Sequence, residues 1–314
     1  MHAMVAPPSP ARPSRRHRLI AAAVPVLRGA REMESEPIER DRVLALHRRH
    51  PGGLPTRSVP GFDRRFRHVV EELTGPTGVR FPSHVLTPRG VTPRRTVVHL
   101  HGGGFVFPVD GAHVRWATRL ARDLEARVVL PEYPRAPEHT WRDSHDALVD
   151  QAQRCVEGGD EVVLSGDSAG GGLALAVAMS LRDRGVPIAR LLLVSPWVDL
   201  TMATPGTEAQ DAVDTWLFLG KARTYARWWA GGEEHLTRPE VSPALADLAG
   251  LPPALMFCGT RDLLLPGCRL LARRAAEAGW PLEYVEAPDL IHVYLMLPVP
   301  EARAAWRRIR AFLR

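Results

Sequence analysis

The residues with the clearest chemical potential lie in Ser165-Gly166-Asp167-Ser168-Ala169-Gly170-Gly171-Gly172. A short apolar run, Val162 to Leu164, leads in, and the Ala/Leu/Val-rich segment Leu173–Leu181 leads out. This order predicts strand, tight turn and helix. Gly166-x-Ser168-x-Gly170 then fits a turn that lifts a serine Oγ above a sheet edge, with small neighbours that let backbone pass close by. The N–H groups opening the following helix would face any charge that forms beside the serine. A glycine-rich turn without chemistry has the same pattern, so the partners elsewhere in the chain decide.

A serine hydroxyl is a poor nucleophile at neutral pH and needs a base, which in turn needs an orienting acid. Of 13 histidines, His292 is the best candidate base, in the segment Ala287-Pro288-Asp289-Leu290-Ile291-His292, read as a loop past the last strand. Its expected pKa is the ordinary value of about 6.5. Asp262, Asp289 and Glu286 are candidate acids. Asp289 stands close enough to His292 in sequence for a local loop contact, whereas Asp262 closes a predicted strand. The order Ser168, Asp262, His292 favours Asp262. The third need is a set of backbone donors for a developing oxyanion, and Gly102-Gly103-Gly104 after a strand suits it. His99-x-His101 would share a strand face, but no further metal ligand is apparent nearby.

These residues require a scaffold. Strands are predicted at Phe66–Leu73, Val79–Thr87, Thr96–Leu100, Arg127–Pro131, Glu161–Ser165, Ala189–Val194, Ala254–Cys258 and Leu282–Glu286. Gly75-Pro76-Thr77-Gly78 is too short for a parallel crossover, so the first two pair antiparallel. Helix-length segments separate most of the rest, near 112–125, 143–156, 169–184 and 263–278, and another follows the last strand near 300–312. A mostly parallel, doubly wound α/β sheet follows, with every candidate group at its C-terminal edge. The interval from Asp199 to Pro252 exceeds a simple crossover and carries an aromatic-rich helical insertion, Trp216 to Trp229. Upstream, Ile20, Val24, Leu27, Val43, Leu44 and Leu46 recur at loosely helical spacing, interrupted by Pro25 and Pro37. Residues 1–14 are rich in Pro, Ser and Arg and predict no fixed structure.

Hydrophobic content of 45% with 24% charged residues excludes a disordered chain. The net charge of +6 sits wholly in residues 1–60, which hold 11 Arg against 5 acidic residues. A nucleic-acid partner is therefore not expected, while the basic N-terminus could touch an anionic membrane surface. Cys155, Cys258 and Cys268 follow no disulfide or metal pattern, which points to a reducing, cytoplasmic setting. The apolar run Leu19–Leu27 is about nine residues long and lacks a cleavage site, so it suits neither a signal peptide nor a membrane span.

Taken together, the chain resembles the hormone-sensitive-lipase-like (HGGG) esterases of the α/β-hydrolase fold. The resemblance rests on His101-Gly102-Gly103-Gly104-Phe105, Tyr133 with Ala136-Pro137-Glu138-His139, Gly166-Asp167-Ser168-Ala169-Gly170-Gly171, Ser195-Pro196-Trp197, Gly259-Thr260-Arg261-Asp262 and the His292 segment. It implies an eight-stranded, mostly parallel sheet with helices on both faces. Ser168 would be the nucleophile, Asp262 the acid and His292 the base, with Gly103, Gly104 and Ala169 as oxyanion donors. It implies a catalytic domain over 61–314, preceded by residues 1–60, and a helical cap built from about 15–55 and 205–235. It further implies hydrolysis of a short- to medium-chain ester without cofactor or metal. Lactone or small-amide hydrolysis, or non-catalytic ligand binding, are the alternatives. A homodimer is one arrangement left open. Gly172, where Asn is common, and Val293, where an aromatic is frequent, depart from the pattern.

Overall fold

The computed structural model of the protein describes residues 12–27, 32–50 and 52–314. Of the segment 1–14, residues 1–11 lie outside the described residues. The strands are β1 (Phe66–Thr74), β2 (Arg80–Pro88), β3 (Arg95–Leu100), β4 (Arg127–Pro131), β5 (Glu161–Asp167), β6 (Arg190–Val194), β7 (Ala254–Arg261) and β8 (Leu282–Ile291). The helices are α1 (Arg15–Leu27), α2 (Glu36–Arg49), α3 (Phe62–Arg65), α4 (Gly111–Asp123), α5 (His145–Glu157), α6 (Ser168–Asp183), α7 (Thr207–Asp211), α8 (Leu219–Ala230), α9 (Leu265–Glu277) and α10 (Pro300–Phe312).

The strands form one sheet in the order β1-β2-β4-β3-β5-β6-β7-β8. β1 pairs antiparallel with β2, and β2 with β4; every later pairing is parallel. The direction of winding reverses at β3, which lies between β4 and β5. Ligands of open α/β sheets bind at the crevice outside such a switch point. Alternating strand residues feed two cores. Val98, Leu100, Val162 and Leu164 pack with Leu148 of α5, Leu173 and Val177 of α6 and Leu271 of α9. Val97 and Val163 face the opposite layer, with Val114 and Leu120 of α4 and Trp306 and Ile309 of α10. Helix α6 is apolar on every side and almost wholly buried, as a helix threaded through a core must be.

One boundary differs from the sequence reading in a way that matters. Residues 287–291 are strand rather than loop: β8 continues to Ile291 by pairing with β7 across a register shift between Gly259 and Arg261. Pro288 and Asp289 look like turn residues, but the irregular pairing accommodates them, with Asp289 at φ 57°. His292 is thus fixed to the end of a strand.

The N-terminal helices dock on late parts of the chain. The Ser14 N–H donates to Glu301 (2.5 Å), and the N–H of Ile291 donates to His17 Nε2 (3.3 Å). Ala21 and Val24 of α1 pack on Ile291. In α2, Glu36 accepts from the Trp228 indole (2.7 Å) and from Arg227 (2.6 Å), while Glu39 accepts from the Tyr225 hydroxyl. Val43 joins the main core. Leu27, which shares the loosely helical apolar spacing of Ile20 and Val24, is 79% exposed.

Candidate active site

Strand β5 runs straight into α6, and the joining residue, Ser168, is held at φ 52°. A non-glycine residue persists in that left-handed region only where its surroundings over-determine it. Here they do. A Cβ on Gly166 would lie 2.1 Å from the Gly170 carbonyl oxygen, and one on Gly170 would lie 2.1 Å from that of Leu100. The departure at Gly172 has the same cause, since its Cβ would stand 1.9 Å from the Trp197 carbonyl oxygen.

Ser168 Oγ lies 3.0 Å from His292 Nε2, and His292 Nδ1 lies 2.9 Å from Asp262 Oδ2. With the proton on Nδ1, the imidazole donates to the carboxylate and accepts from the serine hydroxyl. All three residues are buried. The second Asp262 oxygen accepts from the Leu264 N–H (3.0 Å). The other two candidate acids stand elsewhere. Asp289 is exposed and uses its N–H on Thr260 Oγ1 (2.7 Å), and Glu286 is paired with Arg269 (2.5 Å). Burial alone would lower the His292 pKa, but the charge of Asp262, then those of Asp214 and Asp167, raise it above the ordinary 6.5. That corrects the unperturbed value expected from sequence.

Gly103 and Gly104 line the same cavity as Ser168 and His292. The Gly103 carbonyl accepts from the N–H groups of Val106 (3.0 Å) and Phe107 (2.8 Å), which folds the loop into a turn. Ala169 is buried in the first turn of α6 and does not itself line the cavity. His99 and His101 turn to structural partners. His99 reaches Ser165 Oγ (3.1 Å) and Asp167 (3.3 Å), while His101 bonds the Gly102 carbonyl and stacks on Tyr133 at 4.4 Å.

Three groups beside the serine were not singled out from the sequence. Asp167 accepts from the Gly102 N–H (3.0 Å) and lies 3.6 Å from His113 Nε2. Burial would raise its pKa, but His113 and then His99 hold it well below the usual carboxylate range. Burial would lower that of His113, which Asp167 and Asp110 instead raise to about 9. Asp214 is the third: its carboxylate accepts from the N–H groups of Trp216, Leu217 and Leu263. Asp167 stands in the serine motif itself, and the i,i+3 spacing of Asp110 and His113 is a capping box for α4, but no local pattern marks Asp214.

The cavity measures about 300 Å³. Its outer wall comes from the insertion, through Trp216, Leu217, Phe218 and Tyr225, and α2 contributes Arg42. The Trp216 ring meets His292 edge-on at 5.7 Å. Trp229 and Trp228 do not line the cavity. Trp229 stacks on Phe105 at 4.3 Å, and Trp228 bonds Glu36. Val293 lines it from a left-handed conformation (φ 44°).

Comparison with known proteins bears on the fold and the family. A family model described as the α/β-hydrolase fold matches residues 97–296. An acetyl-hydrolase of Streptomyces hygroscopicus is 34% identical over 226 residues, covering 70% of this chain and 75% of that protein. An esterase of Acinetobacter venetianus strain RAG-1 is 28% identical, covering 69% and 73%. The crystal structure of an esterase from the bacterial hormone-sensitive lipase family superposes with a TM-score of 0.76, at 28% identity, over 96% of this chain and 98% of that one. The chain belongs to the α/β-hydrolase family, on its hormone-sensitive-lipase-like esterase branch. It is a hydrolase of the carboxylesterase and lipase-like class. Among the described residues, no helix is long and apolar enough to cross a membrane.

Proposed function

We propose that the protein is a serine carboxylic-ester hydrolase for short- to medium-chain acyl esters, working through an acyl-enzyme. The observation that carries this reading is the hydrogen-bonded series Asp262–His292–Ser168, set beside a cavity that Gly103 and Gly104 also line. Ser168 Oγ attacks the ester carbonyl as its proton passes to His292 Nε2. The tetrahedral intermediate then expels the alkoxide, which takes that proton. Water, deprotonated by the same imidazole, repeats the sequence on the acyl-enzyme and releases the acid. The N–H groups of Gly103, Gly104 and Ala169 stabilise the oxyanion, each by about 3–4 kcal/mol. Asp262 holds the imidazole in the productive tautomer and favours the imidazolium.

The preference for short chains is supported by the cavity volume, at the lower end for small-molecule sites, and by its aromatic wall. A fluorophosphonate probe should label the wild type once, at Ser168, and a panel of p-nitrophenyl esters from C2 to C16 should show turnover that peaks below C8. Equal labelling of Ser168→Ala would remove the serine from its role.

A cytoplasmic setting is the reading supported by Cys155, Cys258 and Cys268, whose spacing follows no disulfide pattern. A weak contact with an anionic membrane surface is supported by α1, which exposes Arg15, Arg16 and Arg18 along with Leu19, Val26 and Leu27. Co-sedimentation with vesicles containing phosphatidylglycerol, but not with phosphatidylcholine alone, would establish that contact.

A further inference from the structure

We propose that Asp214 is a positioning residue of the hydrolytic centre, joining the wall of the substrate cavity to the acid Asp262 and adding a second negative charge behind His292. The inference rests on the triad reading given above.

Asp214 belongs to the insertion between β6 and β7, far from the triad in sequence, yet it is buried beside it. One carboxylate oxygen accepts from the N–H groups of Trp216 (2.6 Å) and Leu217 (3.0 Å), both of which line the cavity. The other accepts from the N–H of Leu263 (2.7 Å), the residue after Asp262. Asp262 itself accepts from Leu264, so the two aspartates hold consecutive N–H groups of one turn. Three donors converge on a single buried side chain, and a neutral amide cannot replace it: the amide has only one oxygen to offer them. A wall that shifts on binding therefore pulls on the same turn that presents the acid.

The charge acts on the same neighbours. Asp262 and His292 face Asp214 most closely; Asp167 bears on His292 from the β5 side, and Arg261 reaches the adjoining Val213 carbonyl (3.5 Å). Burial, and then the charge of Asp262, raise the Asp214 pKa to about 6, while His292 pulls it down. The negative charge of Asp214 in turn favours the protonated imidazole.

The test compares Asp214→Asn, Asp214→Glu and wild type, as full-length chains, in the pH dependence of kcat/KM and in kcat and KM separately on a short ester. Fluorophosphonate labelling at Ser168 in the wild type is measured first. Its failure would strike the triad reading and leave Asp214 aside. In Asp214→Asn the acid-limb midpoint should fall by about one unit, and kcat should fall tenfold or more. Asp214→Glu should return the midpoint close to that of wild type while kcat stays depressed, because the charge is restored but the three N–H contacts are not. Should the Asn variant not fold, Asp214→Ser takes its place with the same expected midpoint. A midpoint that stays at the wild-type value in the neutral variant overturns the proposal whatever the rate does, since a merely structural strut would slow turnover without moving it.

Discussion

The N–H of Gly102 and the carboxylate of Asp167 meet at 3.0 Å, so the loop bearing Gly103 and Gly104 is fastened to the residue that precedes Ser168. The proposed nucleophile and the proposed oxyanion donors therefore share one anchor. Asp167→Ala should lower kcat by about 100-fold with a smaller change in KM, because a displacement of about 1 Å in the donors is enough for that loss. Asp167→Asn, which keeps an acceptor for Gly102, should retain clearly more activity. Steady-state kinetics on p-nitrophenyl acetate will separate the two; equal losses would assign the effect to charge instead.

The same carboxylate stabilises the fold through His113, whose pKa is raised to about 9. A group whose folded pKa exceeds its unfolded value contributes stability that is complete below about pH 6.5 and is lost as pH rises through about 9. The difference in urea midpoint between wild type and His113→Gln should therefore be largest near pH 6 and smallest near pH 10. A difference independent of pH would mean that folding does not raise the pKa of His113.

Turnover should follow the neutral form of His292. With its pKa raised above 6.5, kcat/KM should rise with pH to a plateau, with a midpoint above that value. Asp262→Asn should cost roughly 10⁴-fold, through loss of the oriented tautomer. Asp289→Asn, at an exposed carboxylate, should change kcat/KM by less than about twofold. A larger loss from Asp289→Asn than from Asp262→Asn would reassign the acid.

Chain-length selectivity should depend on the contact between α2 and α8. Each methylene that the cavity accepts is worth up to about 0.8 kcal/mol, close to a fourfold gain in kcat/KM, until the aromatic wall is reached. Removing residues 1–55 takes away Arg42 and the partners of Tyr225 and Trp228. The truncated protein should show a flatter profile from C2 to C16 and weaker activity on acetate. An unchanged profile would place the N-terminal helices outside substrate selection.

Much of this was legible in the sequence because the signals were local. Gly166 and Gly170 are where the elbow admits no side chain, and Val162 to Leu164 form a strand by composition alone. The order of Ser168, Asp262 and His292 narrowed the acid before geometry did. What escaped depends on pairing across long separations. The extension of β8 through Pro288 and Asp289 is imposed by Gly259–Arg261 on the neighbouring strand, and no local pattern announces it. Asp214 and His113 become important only when other elements bring backbone N–H groups or a carboxylate to them. The aromatic residues of the insertion were visible, but not their division: Trp216 turns to the cavity, whereas Trp229 turns to Phe105.

The bonds from Ser14 to Glu301 and from Ile291 to His17 span 287 and 274 residues. During synthesis, α1 emerges long before either partner exists. At about 5–20 residues per second, roughly 14–55 s pass between the appearance of His17 and that of Ile291. Throughout that interval Ala21 and Val24 of α1 lack Ile291, the buried residue on which they pack. Among the described helices, α1 is made earliest yet is among the last to find its place, and a nascent chain of this protein should engage holding chaperones through α1.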